Sequence, residues 1–287
     1  MSMLKNINFG ASTWLWESPF STDSIALFPK IKALGFDLVE IPVEDPSLID
    51  GNTVKKALAD NGLKVSVCGA FGPTKDFTSD DIDLHENCFR YIEECFKLCE
   101  LFEVDFLAGP MYSAVGKARM LPDEQKKVEW ERAVSNLYKV CEMGKDYGQF
   151  IALEPLNRFE SDLVNTADDV LRLVNDINHS NAKIILDGFH MTIEEKNIKD
   201  AIHTVKDKLI HVQVSENHRG VCGTGLTPWR DFSEGLSEIG YEGSIVIESF
   251  TPEIKELAGA VCIWKKHEGG QDDFASKGLK FIKETFK

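Results

Sequence analysis

The chain has 287 residues and a formal net charge of −15, which argues against a nucleic-acid partner, because such binding rests on neutralising phosphates. At 43% hydrophobic and 28% charged it has ordinary globular composition, and no apolar run approaches the ~18–20 residues of a membrane span. The opening MSMLKNINFG lacks the pattern of a signal peptide, and seven cysteines without a repeat spacing suit reduced thiols, so a cytoplasmic protein is expected.

In chain order, short β-rich runs alternate with helical ones. A strand over 7–13 precedes a helical pattern over 22–35, with Thr22 or Asp23 as its N-cap and Gly35 as its stop. A second strand, 36–43, leads to a helix over 53–62 that ends at Asn61-Gly62. The third, 64–71, leads to 83–102, where apolar residues fall three and four apart. Cys95 and Cys99 lie four apart in that helix with no matching pair elsewhere, so they read as packing rather than a metal site. Strand 105–111 is followed by a helix over 124–148, and strand 149–156 by a helix over 166–178 with Thr166 as N-cap. Strands over 183–189 and 209–216 come next. A helix over 227–240, with Pro228 at its first position, and a last strand over 244–250 complete the series.

Eight strands alternating with helices over this length is the count of an α/β (β/α)8 TIM barrel; a doubly wound open sheet is the alternative. Polar groups at many strand ends favour closure, because a barrel gathers them at one mouth. No linker or low-complexity segment appears, so residues 1–287 read as a single barrel domain.

The chemistry-bearing groups sit at the last strand ends. Strand five ends in Glu154 and strand six in Asp187; strand seven carries Gln213, and strand eight ends in Glu248. A carboxylate placed after an apolar run is costly to desolvate. One such group could pair with a barrel lysine or arginine, but three at one mouth repel unless a cation lies among them. Oxygen-rich ligands suit Mn2+, Mg2+ or Co2+. Just past the strand ends, Glu160, His190 and Arg219 could bind the hydroxyls of a polar ligand, although His190 equally suits a helix cap or packing. Arg158 reads as a structural ion-pair partner. By alternation His211, Gln213 and Ser215 share one strand face, with His211 a step deeper than Gln213.

The stretches ALEPLNRFE, LDGFHMTIEE, SENHRG followed by GLTPW, and IVIESF followed by AGAVCIWKK resemble the D-tagatose/D-allulose (psicose) 3-epimerase family of the xylose-isomerase-like TIM-barrel superfamily. The likeness runs from FGASTW to the last helix. It implies a divalent metal, Mn2+ first with Mg2+ or Co2+ as alternatives, held by Glu154, Asp187, residue 213 and Glu248. It also implies Glu154 and Glu248 as the acid/base pair, and substrate contacts by Glu160, His190 and Arg219. The family has a histidine where this chain has Gln213, whose neutral amide oxygen is a harder donor than imidazole nitrogen. The family often has a tryptophan over the sugar in the loop that here reads GPMYSAVGKAR, without one.

The resemblance therefore implies a metal-dependent ketose 3-epimerase acting on a free sugar through an enediolate, assembled as a dimer or tetramer. A sugar isomerase, a 3-oxo-glycoside lyase or a non-catalytic sugar-binding relative on the same barrel stays open. A nuclease on this barrel would want more than seven histidines and a basic face.

Overall fold

The computed structural model describes residues 4–267 and 269–286. Eight parallel strands follow one another around a closed barrel: β1 Ile7–Ser12, β2 Leu38–Val43, β3 Lys64–Gly69, β4 Phe106–Gly109, β5 Phe150–Leu153, β6 Ala182–Asp187, β7 Leu209–Val214 and β8 Gly243–Ile247. Pairing of β1 with β8, Gly10 opposite Val246, closes the ring and excludes the open sheet. In β2, Val39, Ile41 and Val43 belong to the main apolar core. Alternation then turns Glu40 toward the barrel interior.

The ladders are shorter than the apolar runs suggest. The run over 105–111 yields only Phe106–Gly109, and that over 149–156 only Phe150–Leu153. Pro110 and Pro155 follow within two residues and lack the N–H that a central strand donates. The chain therefore leaves the ladder at the C-terminal rim, and Glu154 lies just outside it.

The helices depart from expectation at their starts. The pattern over 22–35 divides into a 3-10 segment, Thr22–Leu27, and an α-helix, Phe28–Leu34; its N-cap is Ser21, whose backbone N–H donates to Ser24 Oγ at 2.8 Å, rather than Thr22 or Asp23. Pro228 is itself the N-cap position, and that helix begins at Trp229. Thr166 caps its helix reciprocally with Asp169. Cys95 and Cys99 are fully buried in the helix Ile82–Phe102, as packing requires. Among the described residues no helix is long and apolar enough to cross a membrane.

Candidate active site

Four side chains meet at the C-terminal mouth because their strands end there. Asp187 is the last residue of β6 and also the N-cap of the helix Gly188–Glu194, its Oδ1 accepting the Phe189 N–H at 2.9 Å. Glu154 and Glu248 stand one residue past β5 and β8. Gln213 remains inside β7, in register with Asp187 on one side and Val246 on the other. All four are buried. His211 is in register with Ile185, one layer below, and is fully buried.

Arg219 reaches this cluster from the loop after β7. Glu216 organises that loop, accepting hydrogen bonds from Trp229 Nε1 at 2.6 Å, Gly223 N at 2.8 Å and Thr227 N at 3.1 Å. The turn holds Arg219 at φ +56°, an uncommon conformation for a non-glycine residue. Its Nη1 lies 2.6 Å from Asp187 Oδ2 and 2.9 Å from Glu248 Oε2. Phe189 and Phe250 flank the guanidinium, with ring centroids at 4.0 and 5.2 Å. Sequence spacing puts Arg219 over the mouth, facing a ligand; the fold inserts it among the carboxylates, where its charge is worth most.

His190 sits in the first turn of the helix that Asp187 caps, rather than in an open loop. Its Nδ1 accepts the Asn157 backbone N–H at 3.0 Å, and Arg219 Nη2, which can only donate, lies 3.3 Å from Nε2. Nε2 faces Glu154 Oε1 at 3.6 Å and Asp187 Oδ2 at 3.7 Å. Burial holds His190 below the usual imidazole range. Ligand atoms of Glu154, Asp187 and His190 lie within 4.8 Å of one another, as a metal cluster would require. Asn157 already occupies Nδ1, so Nε2 is the ring atom left to face a cation or a ligand oxygen.

Glu160 is half-buried at the rim; Asn157 Nδ2 donates to its Oε1 at 2.7 Å and Gly116 N–H to its carbonyl at 2.7 Å. Arg158 turns away and forks onto Glu194 with two N–H···O contacts of 3.0 Å, a structural pair as expected. A further acid, Glu40 of β2, lies fully buried beneath the cluster. Its signal was present in the sequence: a lone charge inside the otherwise apolar LVEIPV.

Glu154, Asp187 and Glu248 face a single guanidinium, an excess of two negative charges when all three are ionised. Burial, reinforced by Glu248 and Asp187, pushes the Glu154 carboxyl well above its usual range. Glu248 is pushed up to about 8 by burial; Arg219 opposes the shift, and Asp187 and Glu40 add to it. One divalent cation would cancel the excess. Gln213 Oε1 is buried without a partner, an arrangement that costs about 1–3 kcal/mol if nothing fills it. Excess charge, oxygen donors and an orphaned amide oxygen together fit a hard divalent ion.

A pH dependence follows for the metal-free chain. The folded-state pKa of Glu248 and of Glu154 is raised, so their stabilisation is present at low pH and lost as pH rises through the folded value, about 8 for Glu248. His190 is depressed and acts oppositely, but only as pH falls below its unfolded value of about 6.5. Between pH 6.5 and 8, Tm measured in chelator should therefore fall by about 5 °C or more, and saturating Mn2+ should flatten the slope. A Tm that is constant in chelator over that range would contradict the raised carboxyls.

Residues 28–284 match the family described as xylose isomerase-like TIM barrel. The chain belongs to that family. Within it, the D-psicose 3-epimerase of Ruminiclostridium cellulolyticum is 32% identical over 263 residues, 90% of this chain and 89% of the relative. The L-ribulose 3-epimerase of Methylomonas sp. is 29% identical with all of both chains covered. A crystal structure of D-allulose 3-epimerase from Methylomonas sp. in complex with D-allulose superposes with a TM-score of 0.89 at 28% identity, covering 100% of this chain and 99% of that one. The resemblance read from the motifs thus holds across the whole xylose isomerase-like barrel.

Proposed function

We propose that the chain is a metal-dependent ketose 3-epimerase acting on a free sugar, with Glu154 and Glu248 as its acid/base pair. The broader class, sugar epimerase or isomerase, follows from the relatives. The observation that carries the finer reading is the pair of buried glutamates at the ends of β5 and β8. These strands lie three apart around the closed barrel, so the two carboxyls can approach one bound carbon from different sides. A carboxylate can take a proton and a carboxyl can give one, which general acid/base work requires.

One glutamate takes the C3 proton of the ketose, leaving an enediolate. The other delivers a proton to the opposite face of C3, and the carbonyl reforms. His190, Arg219 and Glu160 would orient the hydroxyls around that carbon. Glu154, Asp187, Gln213 and Glu248 would hold the divalent ion, Mn2+ first with Mg2+ or Co2+ as alternatives, which when bound would supply Lewis-acid charge for a ketose carbonyl. A 3-oxo-glycoside lyase or a non-catalytic sugar binder is less favoured, since both glutamates are in place and the relatives named are 3-epimerases.

The test is incubation with Mn2+ and single free ketohexoses and ketopentoses in deuterated water. At least one C3-epimer pair should interconvert with deuterium appearing at C3. If no sugar of either class gains deuterium at C3, the epimerase reading fails.

The role of Gln213 has its own test. Gln213→His should retain or tighten Mn2+ binding, since imidazole offers a donor for Glu40 and an acceptor for the ion and gives up only the contact with Glu248. Gln213→Ala should weaken it about tenfold or more, whereas His211→Ala, a layer lower, should change it less than about threefold. Titration calorimetry on metal-free protein separates these outcomes. Loss of Mn2+ in His211→Ala with retention in Gln213→Ala would mean that the wrong side chain of β7 has been assigned to the ion.

A further inference from the structure

We propose that Glu40 is a positioning residue that fixes the amide of Gln213, so that the free end of Gln213 is its oxygen; the inference rests on the metal-centre reading above. Glu40 sits in the middle of β2, fully buried, three strands from β7 around the closed barrel. Ser66 Oγ donates to Glu40 Oε2 at 3.0 Å and His211 Nε2 to the same oxygen at 2.7 Å, which pins the carboxylate. Its other oxygen, Oε1, accepts from Gln213 Nε2 at 2.6 Å.

The second N–H of Gln213 goes to Glu248 Oε1 at 3.1 Å. The amide nitrogen is therefore fully committed, both times to a carboxylate. Turning the amide over would set its oxygen against Glu40 Oε1, on a carboxylate whose other oxygen is already taken by Ser66 and His211, so Glu40 fixes the orientation. Gln213 Oε1 is then the one group of this side chain left over, buried and without a partner.

That arrangement has the polarity of a metal-binding imidazole: a donor end anchored on an outer carboxylate and an acceptor end free for the cation. Glutamine can stand at this position because Glu40 holds its N–H end. Without Glu40 the amide would lose its shortest hydrogen bond and be free to rotate. Glu40 is not itself in the ligand set; it acts through Gln213.

The experiment is a double-mutant cycle on the full chain, read as Mn2+ affinity by titration calorimetry of metal-free protein, with Tm followed in parallel. Glu40→Leu, which removes the acceptors at similar volume, should weaken Mn2+ binding by about 10–100-fold. In a Gln213→Ala background the same change should cost less than about threefold, because the side chain it positions is gone. Glu40→Gln keeps the shape and one acceptor oxygen while losing the charge. It should bind Mn2+ within about threefold of the parent, and it serves as the arm that folds if Glu40→Leu does not.

Three results overturn the proposal: unchanged affinity in a folded Glu40→Leu, an equal loss in both backgrounds, or a loss of about tenfold or more in Glu40→Gln. The first makes Glu40 a packing residue; the other two make it a remote charge. A parent chain that binds no Mn2+, or binds it no more tightly than Glu154→Gln, removes the metal centre and this inference together. A parent that binds tightly while the cycle shows no coupling removes only this inference.

Discussion

Glu154→Gln and Glu248→Gln are each expected to slow solvent exchange at C3 by about 10²–10⁴-fold while leaving the chain folded. The two side chains are buried at the ends of β5 and β8, and burial raises both carboxyls. Glutamine preserves the shape of each and removes the transferable proton. It also removes a negative charge from a cluster in excess of them, so the metal-free fold should gain rather than lose stability. The readout must separate the two half-reactions. If each glutamate serves one face of C3, a variant can retain exchange from one epimer's side while losing interconversion. Deuterium incorporation from each epimer, measured separately, would show which glutamate faces which hydrogen. Parental exchange from both epimers in either variant would remove that residue from the mechanism.

Arg219→Met is expected to destabilise the metal-free chain by about 3–5 kcal/mol, because it strips the partner from two buried carboxylates. Nη1 contacts Asp187 and Glu248 at 2.6 and 2.9 Å, and burial of the guanidinium is outweighed by those two charges, which hold it in its charged form. Methionine keeps much of the packing between Phe189 and Phe250 but none of the charge. With saturating Mn2+ the deficit should shrink, since the ion neutralises the same carboxylates. Urea unfolding with chelator and with Mn2+ gives both numbers. A loss below about 1 kcal/mol in chelator would mean that Asp187 and Glu248 shed their charge by protonation without Arg219. A deficit that Mn2+ leaves unchanged would mean that the guanidinium and the ion do not share the same carboxylates.

The sequence by itself carried the barrel and the acids at its mouth. Strand and helix periods are local properties, and eight strands alternating with helical segments leave few topologies. A carboxylate directly after an apolar run, as in IVIE or ALE, marks a strand end without knowledge of any partner. Glu154, Asp187, Gln213 and Glu248 could be placed at one rim on that basis. The early exit of β5 was also legible in Pro155, although the apolar run over 149–156 hid it.

Only the tertiary structure decided what those groups do to one another. Glu40 meets His211 and Gln213 across 171 and 173 residues of chain, a contact that exists because closure through β1 and β8 brings β2 within three strands of β7. Arg219 looks like a rim residue by spacing, yet the turn that holds it at φ +56° sends its guanidinium inward between two rings. Which end of the Gln213 amide is free depends on where two carboxylates from β2 and the end of β8 lie. Hydrogen-bond direction is set by partners in space, and periodicity along a strand fixes only which face a side chain takes.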